Sequence, residues 1–94
     1  MDHAPSIELL EGTHEFPCIY QFKAIGSLEA GFEAGVVAAV SAEVGPSVTV
    51  EHSVRTTPSG RHVAVTLHVN VQTPEQVRSI YARIKELDGL HYLL

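Results

Sequence analysis

The clearest pattern in the chain is the alternation of side chains between Phe16 and Gly26. One face of this segment carries Phe16, Cys18, Tyr20, Phe22 and Ala24, and the other carries Pro17, Ile19, Gln21, Lys23 and Ile25. Successive side chains of a strand point to opposite faces, so this period of two predicts a β-strand with the first series in the core. Gly26 ends the run. The mixed second face predicts a sheet that is covered on one side only.

The following segment, SLEAGFEAGVVAAVSAEVG, changes to spacings of three and four, which predicts an amphipathic helix of about four to five turns. Ser27 is the predicted N-cap, and Gly45 followed by Pro46 ends the helix. Gly31 and Gly35 lie one turn apart, which predicts close packing against a neighbouring element. The predicted buried stripe is Leu28, Phe32, Val36, Ala39, Val40 and Val44.

Two further alternating runs, SVTVEHSVRT and RHVAVTLHVNV, are separated by the loop TPSG and predict a β-hairpin. The predicted buried face consists of Val48, Val50, His52 and Val54 in the first run and of Val63, Val65, Leu67, Val69 and Val71 in the second. Thr73, Pro74 and Gln76 then form a capping box at the start of a second helix. Gly89 ends that helix, and the segment LHYLL predicts a short last strand.

The predicted order is strand, helix, strand, strand, helix, strand. With right-handed crossovers, this order predicts an α+β fold of the ferredoxin-like βαββαβ type. Its four-stranded antiparallel sheet has the spatial order 4-1-3-2, and both helices lie on one face.

The length and the charge distribution predict one domain preceded by an arm. A chain of 94 residues is long enough for a single hydrophobic core and too short for two. Residues 1–15 contain four carboxylates and no Lys or Arg, in a chain with a formal net charge of −5. We therefore predict a flexible acidic N-terminal arm over 1–15, with one docked turn at its apolar patch Ile7, Leu9 and Leu10 as the alternative, and one ferredoxin-like domain over 16–94.

The composition argues against several functional classes and predicts a cytoplasmic protein. Six scattered Lys and Arg residues give little phosphate neutralisation, so we expect no nucleic-acid binding. No apolar stretch approaches the length of a membrane span, and the acidic start lacks the features of a signal peptide. The single cysteine, Cys18, cannot form a disulfide within the chain, which fits a reducing compartment.

Two segments of the chain resemble the YbeD-like proteins, small bacterial proteins of uncharacterised function. The resemblance covers about residues 16–94 and rests on Phe16, Pro17, Phe22, Lys23 and Gly26 and on Glu75, Gln76, Val77, Ile80 and Tyr81. It implies the same sheet with two helices, similar to the ligand-binding regulatory domains called ACT domains, and a regulatory role. It carries no catalytic residues over to this chain.

Three residues are the candidate ligand-binding groups. Lys23 stands on the uncovered face of the sheet, where it is either a solvated lysine or an anion-binding one. Gly26 and Ser27 enter the predicted helix, whose N-terminal N–H groups would accept an anion. Cys18, on the apolar face, is expected to be a buried structural thiol rather than a reactive one.

The histidines predict no metal site, and no cofactor is expected. His62 and His68 share a strand face but lie about 20 Å apart, which is too far to share an ion. His68 and His91 face away from the core, but they lie on the third and fourth strands, which flank the first strand, so we expect no shared metal ion between them. His52 interrupts a valine row and is expected to be satisfied at a strand end or by a bulge.

The uncovered sheet face is a candidate interface, with Ile19, Ile25 and Leu93 as its predicted apolar contacts. The edge of the second strand offers another route to association, so we expect a homodimer through the sheet face or this edge.

Two functional hypotheses remain open. The first is a non-catalytic regulatory or interaction module that binds a small anionic metabolite or a protein partner. The alternative is an enzyme, or an enzyme subunit, that uses Lys23 and the open-face histidines and is completed by dimerisation.

Overall fold

The computed structural model describes residues 4–28 and 31–94, which form three helices and one four-stranded sheet. The elements are α1 (Ile7–Thr13), β1 (Cys18–Ser27), α2 (Phe32–Val44), β2 (Glu51–Thr56), β3 (His62–Val71), α3 (Pro74–Lys85) and β4 (Leu90–Leu93). The antiparallel sheet has the order β2-β3-β1-β4, which is the predicted order 4-1-3-2 seen from the opposite edge. The predicted ferredoxin-like architecture is confirmed.

The central pair of the sheet is β1 and β3, which are in register from Cys18 opposite Val71 to Ser27 opposite His62. The short strand β4 flanks β1, with Ile25 opposite Tyr92 and a register shift just before Gly26. On the other side, β2 pairs with β3 alone. The strands β2 and β4 are therefore the two edges of the sheet.

The core lies between this sheet and the helices. It is formed by the inward side chains of β1 and β3 and by the apolar stripes of α2 and α3, including Phe22, Leu67, Val36 and Ile80, each fully buried. Full burial of such a side chain stabilises the fold by roughly 1.5–3 kcal/mol. Within residues 4–28 and 31–94, no charged side chain is buried, and the hydroxyl groups of the core tyrosines Tyr20 and Tyr81 lie 3.3 Å apart.

The N-terminal segment corrects the prediction of a flexible arm over 1–15. Residues 7–13 form α1, whose N-cap Ser6 accepts a hydrogen bond from the Leu9 amide at 3.1 Å. Leu10 is 1% exposed and belongs to the core, and the Arg78 guanidinium donates to the Pro5 carbonyl at 2.8 Å. This burial orders the segment despite its acidic composition. Residues 1–3 of the predicted arm lie outside the described residues.

The junction between β1 and α2 also differs from the prediction, because Ser27 ends β1 and does not cap a helix. The Ser27 amide donates to the Gly89 carbonyl at 2.9 Å, which extends the sheet toward β4. The Leu28 amide donates to the Arg61 carbonyl at 3.2 Å, and the Leu28 side chain is 50% exposed instead of buried. Residues 29–30 of the predicted helix lie outside the described residues.

The two glycines of the predicted helix have different structural reasons. Gly31 is the N-cap of α2 and has a φ of 67°, a left-handed conformation that favours glycine. No atom lies within 4 Å of the position that its Cβ would take, so close packing is not the reason for this glycine. Gly35 lies within α2 and faces Leu87, whose Cδ2 would be 3.7 Å from an added Cβ.

The edge strand β2 lies beyond the border of the helix layer. The predicted buried row is wrong for His52 and Val54, since all six residues of β2 are exposed and Val54 is 41% exposed. Val50, which precedes the strand, is partly buried and packs against the core. Its one described side-chain link to the helices is His52, whose Nε2 lies 3.0 Å from Glu33 Oε2. The core-facing side of α2 reaches β3, so β2 contributes little to the core.

Candidate functional site

The face of the sheet opposite the helices places two cations on neighbouring strands. Lys23 on β1 is opposite Thr66, and Arg55 on β2 is opposite Ala64, two positions away on the intervening strand β3. Residues opposite one another in an antiparallel pair point to the same face, so both side chains project from the open face. The predicted placement of Lys23 on this face agrees with the register.

The two cations line a shallow cleft of about 360 Å³, which we call the Lys23–Arg55 cleft. Its other lining residues are Ile25, Thr57, Pro58 and Ala64, with contributions from Thr56. The small side chain of Ala64 leaves room between the flanking strands, and Ile25 gives the cleft an apolar side. A volume of this size suits a small organic ligand.

The tight turn of the β2–β3 hairpin forms the end of this cleft. The Thr57 amide donates to the His62 carbonyl at 2.9 Å, and the Gly60 amide donates to the Thr57 carbonyl at 2.9 Å. Gly60 has a φ of 74°, so the turn requires the left-handed conformation that glycine adopts readily. These bonds hold Thr57 and Pro58 beside Arg55.

The electrostatics of the cleft contrast with those of the whole chain. The chain carries a formal charge of −5, yet the open-face positions of the four strands hold Lys23 and Arg55 against a single carboxylate, Glu51. In the described part of the chain, neither Lys23 nor Arg55 forms an ion pair. A planar guanidinium beside an ammonium group suits a carboxylate or a phosphate.

The predicted anion site at Gly26 and Ser27 is wrong in its geometry. Both residues belong to β1, and the Ser27 amide already donates to the Gly89 carbonyl. Gly26 is buried, and the ring of Phe32 and the carbonyl of Gly89 occupy the space beside its Cα. Neither residue offers the helix N-terminus on which that prediction depended.

The three apolar residues predicted on the open face, Ile19, Ile25 and Leu93, do not form one patch. Ile19 is 69% exposed at one end of β1, and Ile25 is half-buried about 20 Å away. Leu93 was predicted on this face, but it is opposite Ala24 and packs against the core. Tyr92, opposite Ile25 and 67% exposed, takes the open-face position that the sequence assigned to Leu93.

Two of the histidines contact one another on the sheet. His91 meets His62, with ring centroids 4.6 Å apart and an edge-to-face geometry, whereas His68 lies at the other end of β3 beside Gln21. His68 and His91 do not approach one another, because β3 and β4 flank β1 on opposite sides, as the predicted strand order implied. Over residues 4–28 and 31–94, no group of three or more His, Cys, Asp or Glu side chains is placed to hold a metal ion.

Cys18 is a half-buried free thiol at the start of β1. Burial raises the pKa of this thiol, which favours the protonated and unreactive form. Its environment fits the expected structural thiol.

Two larger grooves lie on the helix layer. One, of about 660 Å³, follows α3 near Ala4 and includes Arg78, which donates to the Pro5 carbonyl. The other, of about 580 Å³, lies between α2 and His52 and has mostly small apolar lining residues. The first groove is also lined by two cations, Arg78 and Lys85, and both have bonding partners in the structure. In the described part of the chain, Lys23 and Arg55 instead form no ion pair.

Comparison with known proteins gives a fold match and a family match. The solution structure of protein HP0495 from H. pylori is similar with a TM-score of 0.67, 16% identity, and coverage of 87% of this chain and 86% of that one. Such a likeness shows the fold alone. In the described residues, no helix has the length and apolar character needed to cross a membrane.

The sequence relatives are bacterial proteins of the same size class. A UPF0250 protein of Shewanella woodyi is 32% identical over 80 residues, which cover 85% of this chain and 89% of that protein. A UPF0250 protein of Pseudomonas syringae pv. tomato is 31% identical over 83 residues, with 85% and 88% coverage. Residues 11–94 match the family model described as "Protein of unknown function (DUF493)". These matches confirm the resemblance to the YbeD-like proteins, and the chain belongs to the DUF493 family.

Proposed function

We propose that the protein is a non-catalytic regulatory module that binds a small anionic metabolite in the Lys23–Arg55 cleft. The observation that carries this proposal is the pair of cations, on two different strands, that have no ion pair in the described structure and line one concave surface. The cleft is the most cationic part of the open face in a chain whose net charge is negative. An anion bound there would supply the counter-charge that both cations lack within the single chain.

The lining of the cleft favours a small organic acid. Arg55 can hold a carboxylate by two parallel hydrogen bonds, and Lys23 can approach the same group as a compact point charge. Ile25 and Ala64 would contact an aliphatic part of the ligand. A ligand of this kind uses both the charge and the apolar side of the cleft, whereas inorganic phosphate would use the charge alone.

The proposal is tested by titration of the full chain with a panel of amino acids, 2-oxo acids and aliphatic carboxylates, with inorganic phosphate as a further probe. The readouts are amide chemical shifts and the melting temperature. We expect shifts at residues 23–25, 55–58 and 64. For a ligand that binds, Lys23→Gln and Arg55→Gln should each weaken the affinity about tenfold, because a charge-assisted hydrogen bond contributes roughly 1.5–3 kcal/mol.

Lys85→Gln is the matched control, since it makes the same change of charge on α3, on the other side of the sheet. An equal loss of affinity in all three variants would show that net charge, and not the cleft, determines binding. If the whole panel leaves the melting temperature and the amide shifts unchanged, a protein partner that presents a carboxylate replaces the metabolite as the better hypothesis.

The alternative hypothesis of an enzyme has less support from the geometry. Catalysis needs convergent acid and base groups in a site that excludes water. In the described part of the chain, Lys23 forms no side-chain hydrogen bond with a histidine, and the fully buried side chains are apolar. The cytoplasm is the compartment that we propose, because Cys18 is a free thiol.

A further inference from the structure

The edge strand β2 has a row of backbone groups that point away from the sheet. The Thr57 amide donates to the His62 carbonyl, which identifies Thr57 and His62 as a hydrogen-bonded pair of the β2–β3 ladder. Backbone groups alternate in direction along a strand, so Ser53 and Arg55 also face β3. The N–H and C=O groups of His52, Val54 and Thr56 therefore point outward at the edge.

We propose that a second copy of this chain pairs its β2 with this edge, antiparallel, about a two-fold axis at Ser53. Closed two-fold pairing requires the edge to be self-complementary. It also requires each residue whose backbone N–H and C=O point outward to be opposite another such residue of the second copy. These residues are every second one along β2, so the axis must pass through a residue and not between two residues. With the axis at Ser53, His52 of each copy is opposite Val54 of the partner subunit.

Charge complementarity selects Ser53 as the centre. This register puts Glu51 of each copy directly opposite Arg55 of the partner subunit, twice, on the same face of the joined sheet. An axis at Val54 would instead place Arg55 opposite Ser53 and Glu51 opposite Thr57. In the described part of a single chain, Glu51 and Arg55 form no ion pair, and they lie about 13 Å apart along their strand.

The helix side of β2 is compatible with the same arrangement. Val54 is 41% exposed there, and a groove of about 580 Å³ runs between α2 and His52, lined by Ala34, Val37 and Ala38. Because the two open faces coincide in the joined sheet, both helix layers lie on its other side. The two α2 helices then border the seam, and the exposed apolar surface beside β2 lies between them.

The first test is the mass of the full chain in solution, measured by sedimentation equilibrium over a range of concentrations. We expect a dimer with twice the 10.2 kDa chain mass. Val54→Pro should weaken dimerisation at least tenfold, because proline removes an outward N–H and is tolerated at a sheet edge. Val54→Thr, which keeps the N–H and a β-branched shape, is the matched control and should remain dimeric. The circular dichroism spectrum checks that the proline variant is folded.

A charge exchange tests the register. Glu51→Arg places two cations opposite one another at both ends of the seam and should weaken dimerisation about tenfold or more. The double variant Glu51→Arg with Arg55→Glu restores two opposite-charge pairs and should recover the dimer. A double variant that remains as weak as the single one overturns the proposed register.

A disulfide gives an independent measure of the centre. In a Cys18→Ala background, Ser53→Cys should form a disulfide between subunits on mild oxidation, because opposed residues of such a pair lie within the Cα separation that a disulfide spans. Thr56→Cys is the control, since its two copies would lie about 20 Å apart and should stay reduced. A monomer at all concentrations, or a dimer that Val54→Pro leaves intact, overturns the proposal. Edge pairing with a different protein would also give a monomer here.

Arg55 takes part both in the proposed dimer and in the proposed anion site. Two variants nevertheless distinguish the failure of one proposal from the failure of the other. Lys23→Gln removes a cleft cation and should leave the dimer intact. Val54→Pro should weaken the dimer at least tenfold, and it leaves Lys23 and Arg55 in place for the anion.

Discussion

Gly26 shows how one residue can end a sequence pattern for a reason that the pattern does not reveal. In the sequence it is the residue that stops an alternating run and precedes a helix. In the structure it continues β1, and a Cβ built on it would stand 2.5 Å from Phe32 Cζ and 2.7 Å from the Gly89 carbonyl oxygen. The glycine is required because the start of α2 and the approach to β4 both pass close to the same backbone.

Replacement of this glycine by alanine should be costly. We expect Gly26→Ala to lower the free energy of unfolding by about 1–3 kcal/mol. The added methyl group would overlap the backbone carbonyl of Gly89, which cannot move aside as the end of a side chain can. Gly12→Ala is the control, since no atom lies within 4 Å of that added Cβ and alanine favours the helix α1 by up to about 1 kcal/mol. Urea denaturation measures both. Equal effects of the two substitutions would contradict the proposed contact.

The positions on the open face of the sheet differ in how well the sequence predicts them. Alternation alone placed Lys23 on one face of β1 and Cys18 and Phe22 on the other face, and the structure agrees. Leu93 was assigned to the wrong face of the sheet because β4 joins β1 through a register shift. A shift of one residue moves every side chain to the other face, and nothing in the four residues of β4 reveals it.

At the scale of elements, α1 is the largest departure from the prediction. Its composition is acidic and it has only one to two turns, so isolated helix formation is unfavourable. Its order depends on the burial of Leu10 against the core beside α3. The sequence contained a signal, because Ser6 is a good N-cap and an apolar group follows it, but docking depends on a surface that only the folded domain provides.

Adjacent leucines in α1 allow a matched test of this docking. Leu10→Ala should lower the free energy of unfolding by about 2–5 kcal/mol, since Leu10 is 1% exposed. Leu9→Ala removes the same atoms from a side chain that is 56% exposed, and it should change stability by less than about 0.5 kcal/mol. Chemical denaturation distinguishes them. A small and equal effect of both would mean that α1 does not pack on the domain in solution.

The strand β2 departs from the prediction in the opposite sense, because a face predicted to be buried is exposed. Val54 of β2, together with Val48 and Val50 before the strand, predicted a buried face, yet the helix layer covers β1 and β3 and ends before β2. The width of a helix layer relative to a sheet is a property of packing, which alternation within one strand does not contain. This uncovered strand supplies Arg55 to the cleft and the backbone edge to the proposed dimer.

At the scale of the whole molecule, the topology was predictable because each element has a strong period and the crossovers follow a fixed handedness. The cleft was predictable only in part. Lys23 could be placed on the open face, but Arg55 becomes its neighbour only through the pairing of β2 and β1 with the same strand, β3. The proposed anion site therefore depends on register, which is the property that a single sequence specifies least clearly.

The stability of the whole molecule should depend on alkaline pH through a pair of tyrosines in the core. Tyr81 is 6% exposed, and its hydroxyl lies 3.3 Å from that of Tyr20. Burial raises the pKa of Tyr81 well above its usual value of about 10, and the hydrogen bond with Tyr20 raises it further. The folded state thus keeps a proton that the unfolded state loses above about pH 10.

Below about pH 9 the hydroxyl of Tyr81 is protonated in both states, so this residue should not make the free energy of unfolding depend on pH. Above about pH 10 the unfolded state binds fewer protons than the folded state, so the free energy of unfolding should fall as the pH rises. Tyr81→Phe should lose about 0.5–1.5 kcal/mol at pH 7, where the hydrogen bond is removed, and should show a shallower decline above pH 10. Urea denaturation at a series of pH values measures both quantities. Tyr92→Phe, at a position that is 67% exposed, is the control and should keep the wild-type slope. If Tyr81→Phe and the wild type decline in parallel above pH 10, the buried tyrosine is not the source of the alkaline instability.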